Sequence, residues 1–113
     1  ARILYELAAQ QGYVSAMNHL SAMYEHGWGV EQSDEKAFEY YEQAALLGYA
    51  KAQYNLGIMY YTGQGVAKDE TKAKKWWTAS AAQGNEKAID NLNILEKEMK
   101  KKMTKTTAAK NTT

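Results

Sequence analysis

An all-α array of stacked antiparallel helix pairs is what this sequence predicts, and three observations carry the prediction. Gly12, Gly48 and Gly84 stand 36 residues apart, each opening a near-copy of one stretch: GYVSA, GYAKA and GNEKA. Sliding residues 1–36 onto 37–72 without a gap superposes Tyr5 on Tyr41, Ala8 on Ala44, Leu20 on Leu56, Tyr24 on Tyr60 and Gly27 on Gly63. Within each period the apolar residues recur at helical spacing. A fixed period of between about 20 and 50 residues marks supersecondary units that cannot bury their apolar faces alone and stack to do so.

The elements follow in order. Residues 1–12 align with the second half of the next period, so they read as the second helix of a unit whose first helix is missing. Ile3, Leu4 and Leu7 are therefore expected to be exposed. The chain starts in mid-repeat without methionine, which reads as an excised piece or a processed product. Residues 13–48 and 49–84 are two full units, each a helix pair. In the second unit the first helix is expected from about Tyr49 to Thr62, where Ala52, Leu56, Met59, Tyr60 and Gly63 follow an amphipathic stripe. The second helix is expected from about Glu70 to Gln83. Its counterpart in the preceding unit carries Ala37, Tyr40, Tyr41, Ala44, Ala45 and Gly48 at i, i+3, i+4, i+7, i+8 and i+11. Small residues such as Ala44, Ala45 and Gly57 let helix axes approach, while the tyrosines and Trp76 fill the space between layers.

The connections are written in glycine, because the chain has no proline. Gly48 and Gly84 follow second helices, and the longer loops GWGV (27–30) and GQGV (63–66) join the two helices of a unit. Ser33 or Asp34, and Asp69, offer N-cap oxygens to the next helix, with Glu35 and Glu70 in its first turn. After Gly84 the rhythm changes. Ala88, Leu92, Leu95, Met99 and Met103 prolong one stripe and no GxGV loop arrives, so residues 85–103 read as one capping helix, Glu86 to Met103. Glu96 and Asn93 stand where Tyr60 and Gly57 stood, making its outer face polar. Residues 104–113 read as a disordered tail.

Composition limits the function. With 113 residues, 45% hydrophobic, the chain has room for about three units and shows no run of apolar residues long enough to span a membrane. The absence of cysteine excludes a disulfide framework, a thiolate metal site and a cysteine nucleophile. Residues 1–94 carry 8 Lys/Arg against 11 Asp/Glu, whereas residues 95–113 carry 6 Lys against 2 Glu. The body is acidic and its end is basic. His19 and His26, seven apart on one helix, are too distant to chelate one metal without outside ligands. The acidic pairs Asp34/Glu35 and Asp69/Glu70 stand at helix starts, where capping accounts for them. No catalytic, cofactor or metal site is indicated.

The ordered run Ala52, Leu56, Gly57, Tyr60, Gly63, Gly65, Val66, Asp69, Lys72, Ala73, Trp76, Ala81 and Gly84 resembles the Sel-one-like repeat (SLR) family, 36-residue relatives of tetratricopeptide repeats. The preceding unit repeats it as Ala16, Leu20, Tyr24, Gly27, Gly29, Val30, Lys36, Ala37, Ala44, Ala45 and Gly48, with Ser21, Ser33 and Tyr40 as departures. The resemblance covers roughly residues 1–95. It implies a right-handed α-solenoid acting as an adaptor without chemistry of its own. It also places this cysteine-free chain outside the branch that carries a cysteine pair per repeat.

By the same resemblance, first helices line a concave surface, so equivalent positions form columns: Asn18, Tyr54 and Asp90; His19, Asn55 and Asn91; Ala22, Ile58 and Ile94. With Tyr61 they make the candidate groove, aromatic surface mixed with amides that could bond an extended peptide. For Tyr54 and Ile58, packing against the adjacent unit is the competing reading. Trp28, between two glycines, either marks an interface or folds back over the helix ends; Trp76 and Trp77 read as core. The expected function is a non-enzymatic protein-interaction scaffold, monomeric as this fragment, binding a protein or peptide partner. A spacer or oligomerisation module is the alternative. RNA binding through the Lys97 to Lys110 segment is a weaker one, because no basic residue recurs on the groove columns just given.

Overall fold

The computed structural model describes residues 2–10 and 12–111, with side chains up to Lys102 and, in the first helix, only those of Leu4 and residues 6–9. Six helices follow one another: α1 (Arg2–Gln10), α2 (Val14–His26), α3 (Asp34–Leu46), α4 (Ala50–Thr62), α5 (Glu70–Ala82) and α6 (Glu86–Asn111). Among the described residues there is no strand, and each helix packs chiefly on its neighbours in sequence. The result is an elongated body of 61 × 28 × 17 Å. No helix among the described residues is long and apolar enough to cross a membrane.

The helix starts show why these boundaries hold. Ser33 Oγ accepts from the Lys36 amide at 3.2 Å and Asp69 Oδ1 from the Lys72 amide at 3.0 Å, capping α3 and α5. Ser33, and not Asp34, is thus the cap of α3. Asp34 instead accepts from the side-chain amides of Gln32 at 2.7 Å and Gln64 at 3.1 Å, tying the second long loop to the first. Gly65 completes that seam. Its φ is +72°, and a side chain there would run into the Asp34 carbonyl, so only glycine fits.

The core runs along the stack as an alternation of large and small. Leu20, Leu56, Met59 and Leu95 are fully buried, and Ala37, Ala44, Ala52, Ala73 and Ala88 sit between them. Each large side chain removed from water in this way contributes about 1.5–3 kcal/mol. Aromatic pairs fill the layers between helices: Tyr24 stacks on Tyr40 with centroids 5.9 Å apart, and Phe38 meets Tyr60 edge-on at 5.4 Å. Polar side chains tie the helices together. Within the second unit, buried Ser80 Oγ donates to the Ala50 carbonyl at 2.7 Å; between units, buried Gln53 Nε2 donates to the Ala45 carbonyl at 3.2 Å and exposed Gln83 Nε2 to the Gly48 carbonyl at 2.9 Å.

Two expectations are refined. Leu4 and Leu7 are exposed, as expected, while the Ile3 side chain lies outside the described residues. The last helix runs to Asn111, past the Met103 at which the apolar stripe ends and into the segment 104–113 read as a tail. Lys105, Ala108, Ala109 and Lys110 favour helix and offset the weaker threonines between them, so the backbone can stay helical where the stripe has stopped; Thr112 and Thr113 lie outside the described residues.

Burial also sets a pH limit. Desolvation raises the phenols of Tyr40, Tyr41 and Tyr60 above their ordinary value, with Tyr41 pushed further by the charge of Glu25 and its hydrogen bond to that carboxylate. A phenol is neutral when protonated, so a raised folded-state value favours the folded chain below the unfolded value of about 10, and that stability is lost as pH rises through the folded values. Melting temperature by circular dichroism is therefore expected to fall steadily above about pH 10, with a shallower fall in Tyr41→Phe. An equal slope in the two proteins would contradict this.

Candidate functional site

First helices α2, α4 and α6 share one face of the stack, and between α4 and α6 that face opens into two cavities end to end. The first, about 230 Å3, is lined by Ile58 and Tyr61 of α4, Trp77 of α5, and Asn91, Ile94 and Leu95 of α6. The second, about 420 Å3, lies towards the starts of the same helices, between Lys51, Tyr54 and Asn55 on one side and Asn85, Glu86 and Lys87 on the other. Helical periodicity makes them one groove, since residues 51, 54, 55, 58 and 61 form a continuous stripe of α4.

The walls of the apolar cavity are held from behind. Trp77 is buried, and its Nε1 donates to the Tyr54 carbonyl at 3.1 Å. Gly57 is what admits the ring: a Cβ there would land on Trp77 Nε1 and Cδ1. Tyr61 packs on Trp77 with centroids 5.5 Å apart and donates its hydroxyl to Glu98 Oε2 at 3.0 Å. That bond to a carboxylate is the main reason its phenol is raised, followed by burial and the Glu98 charge. The phenol stays neutral and presents ring, not charge, to the cavity.

Along the groove the polar groups are amides and ammoniums. Asn55 and Asn91 are half-buried, and neither side chain bonds to another part of the described chain. Lys51 and Lys87 are exposed and enter no ion pair among the described residues. Asn85 Oδ1 is occupied as the cap of α6, accepting from the Ala88 amide at 3.0 Å.

The candidate residues from sequence thus divide. Ile58, Tyr61 and Asn91 line the apolar cavity, and Tyr54 and Asn55 line the polar one. Tyr54 and Ile58 also pack against the core. Asp90 is exposed and lines neither cavity. Asn18 and His19 line neither as well: the Asn18 Oδ1 is shielded from solvent without a hydrogen-bond partner among the described residues, and His19 Nδ1 donates to the Ser15 carbonyl at 2.8 Å. Trp28 is 61% exposed and lines neither cavity, its ring stacked on His26 with centroids 4.4 Å apart. Ile94, named on the column of Ile58, lines the apolar cavity too; Trp77 and Leu95 there, and Lys51, Asn85, Glu86 and Lys87 in the polar one, are the lining residues absent from the candidate set. Lys51 and Lys87 stand 36 residues apart, and that recurrence is the signal that could have found them.

A groove on the first-helix face of a stacked helix-pair array defines a class, the helical-repeat binding proteins. Comparison with family models specifies it: the Sel1 repeat model matches residues 1–13, 14–49 and 50–85. The chain belongs to the Sel1 repeat family, whose members are typically non-enzymatic protein-interaction scaffolds.

Among solved structures, a Sel1 repeat protein from Oxalobacter formigenes is 45% identical, with a TM-score of 0.78 over 79% of this chain and 67% of that one. A protective antigen present in uropathogenic Escherichia coli strains, which displays an SLR fold, is 39% identical with a TM-score of 0.83 over 87% of this chain. This chain spans only 21% of that protein. Cysteine-rich protein B of Helicobacter pylori is 28% identical, with a TM-score of 0.78 over 80% of this chain and 68% of its own. These neighbours make the array an SLR solenoid, the all-α architecture expected from the sequence. No curated protein matches the chain.

Proposed function

We propose that the chain is a binding unit of a larger scaffold and that the groove between α4 and α6, on the concave face, receives a segment of a partner protein. The observation that carries this is the pairing of an apolar cavity walled by Ile58, Trp77, Ile94 and Leu95 with two half-buried amides, Asn55 and Asn91, that bond nothing else in the described chain. An apolar pocket beside uncommitted donors and acceptors suits a side-chain anchor and the backbone that carries it.

Asn55→Ala combined with Ile94→Asp tests it. Both side chains reach solvent, and Ile94 is 56% exposed, so the melting temperature is expected to stay within a few degrees of the parent. Partner proteins captured by the immobilised chain and counted by mass spectrometry should fall at least tenfold in yield. Undiminished capture by a folded variant would remove the groove from the function. Tyr54 is a poorer target, because its ring packs on the core and its carbonyl holds Trp77.

A further inference from the structure

The groove has two chemically different ends, and their separation restricts what can occupy both. On α4 the polar cavity centres near residue 54 and the apolar one near residue 60; on α6 the corresponding positions are near 86 and 93. At 1.5 Å per residue the two centres lie about 10 Å apart. In a polyproline-type helix, residues i and i+3 lie on one face separated by about 9 Å.

We propose that the groove takes an extended, polyproline-like segment of a partner protein that carries an acidic side chain three residues from a bulky apolar one. This rests on the groove assignment above and adds the chemistry of its ligand. The apolar side chain enters the cavity of Ile58, Trp77, Ile94 and Leu95, which offers no charged group, because Tyr61 is neutral and its hydroxyl is already held by Glu98. The acidic side chain lies between Lys51 and Lys87, which project from adjacent first helices into one cavity and have no counter-charge within ion-pair distance among the described residues. Glu86 shares that cavity and offsets one of the two positive charges, leaving an excess of one. A single carboxylate completes the balance.

The extended form follows from the amides. Asn55 lines the polar end and Asn91 the apolar end, and a helical ligand would have its central backbone groups already paired. A polyproline-type backbone has all of its carbonyls and amides unpaired.

The test is a selection from a library of random nonapeptides displayed on phage, held once inside a flexible linker and once at a free C-terminus, with the purified chain as bait. Enrichment of Asp or Glu three positions from Leu, Ile, Met or Phe in the internal library is the expected result. The same selection on Lys51→Gln/Lys87→Gln should keep the apolar preference and lose the acidic one. A synthetic peptide from the first selection should bind that double variant at least tenfold more weakly, with a shallower salt dependence. Both lysines are exposed, so an unchanged melting curve verifies the fold.

No enrichment of any peptide, enrichment without an acidic preference, or an acidic preference that survives in the double variant would each overturn the proposal. Enrichment confined to the free C-terminus would assign the lysines to a terminal carboxylate and overturn it also. If selected peptides lack the acid yet lose binding with Asn55→Ala/Ile94→Asp, the groove stands and only its charge chemistry falls.

Discussion

Trp77→Ala is expected to cost the fold about 3–5 kcal/mol, the range for removing a buried tryptophan from a core that cannot close over the gap. The indole is 3% exposed, lies against the glycine surface of α4, packs on Tyr61 and donates to the Tyr54 carbonyl. All of these contacts join α5 to α4, so their loss weakens one seam of the stack. In a domain of this size the melting temperature should fall by roughly 15 °C. Trp77→Phe keeps much of the volume and loses the hydrogen bond, leaving the Tyr54 carbonyl unpaired by the indole at a cost of about 1–3 kcal/mol. Circular dichroism melts of the two variants give the comparison; an alanine variant within a few degrees of the parent would show that the α4–α5 seam is held elsewhere.

Gly57→Ala is the complementary experiment, and its sign depends on Trp77. In the parent the new methyl group would overlap the indole ring, an overpacking expected to cost about 2–3 kcal/mol. Elsewhere in a helix the same exchange gains up to about 1 kcal/mol. In the Trp77→Ala background the obstruction is gone, so Gly57→Ala should stabilise the chain it otherwise damages. A double mutant less stable than Trp77→Ala alone would mean that the glycine is required for something other than room for the ring. The preceding unit reaches the same fit with other residues: Ser21 and Tyr41 stand at the equivalent positions, both buried.

The helix pairs were legible because a 36-residue period and helical spacing are properties of residue order alone. Leu20, Leu56 and Met59 on the repeated stripe are the buried side chains the spacing indicated. The groove was legible only in part. Ile58, Tyr61 and Asn91 were found because they share a column or stripe on the first helices. The cavity they line is closed by Trp77, which reaches through from the second helix, and no spacing within α4 reports that. Trp77 read as core, and so it is, but one buried ring also forms a wall. Asn18 and His19 share columns with Asn55 and Tyr54 without sharing their cavities, because repeat equivalence fixes a position and the neighbouring unit fixes its surroundings. Lys51 and Lys87 stand off those columns, and only the cavity between α4 and α6 brings them together.

Because each helix leans chiefly on the one before and the one after, the molecule would carry tension in series. A pull applied at its two ends passes through every seam in turn, from α1–α2 to α5–α6, with few cross-links to share the load. Such a chain yields at its weakest junction and gives up length one helix at a time, like a ratchet paid out tooth by tooth. The loop fastening of Gln64 to Asp34 and the indole seated on Gly57 are then rivets as much as folding contacts, setting which segment lets go last.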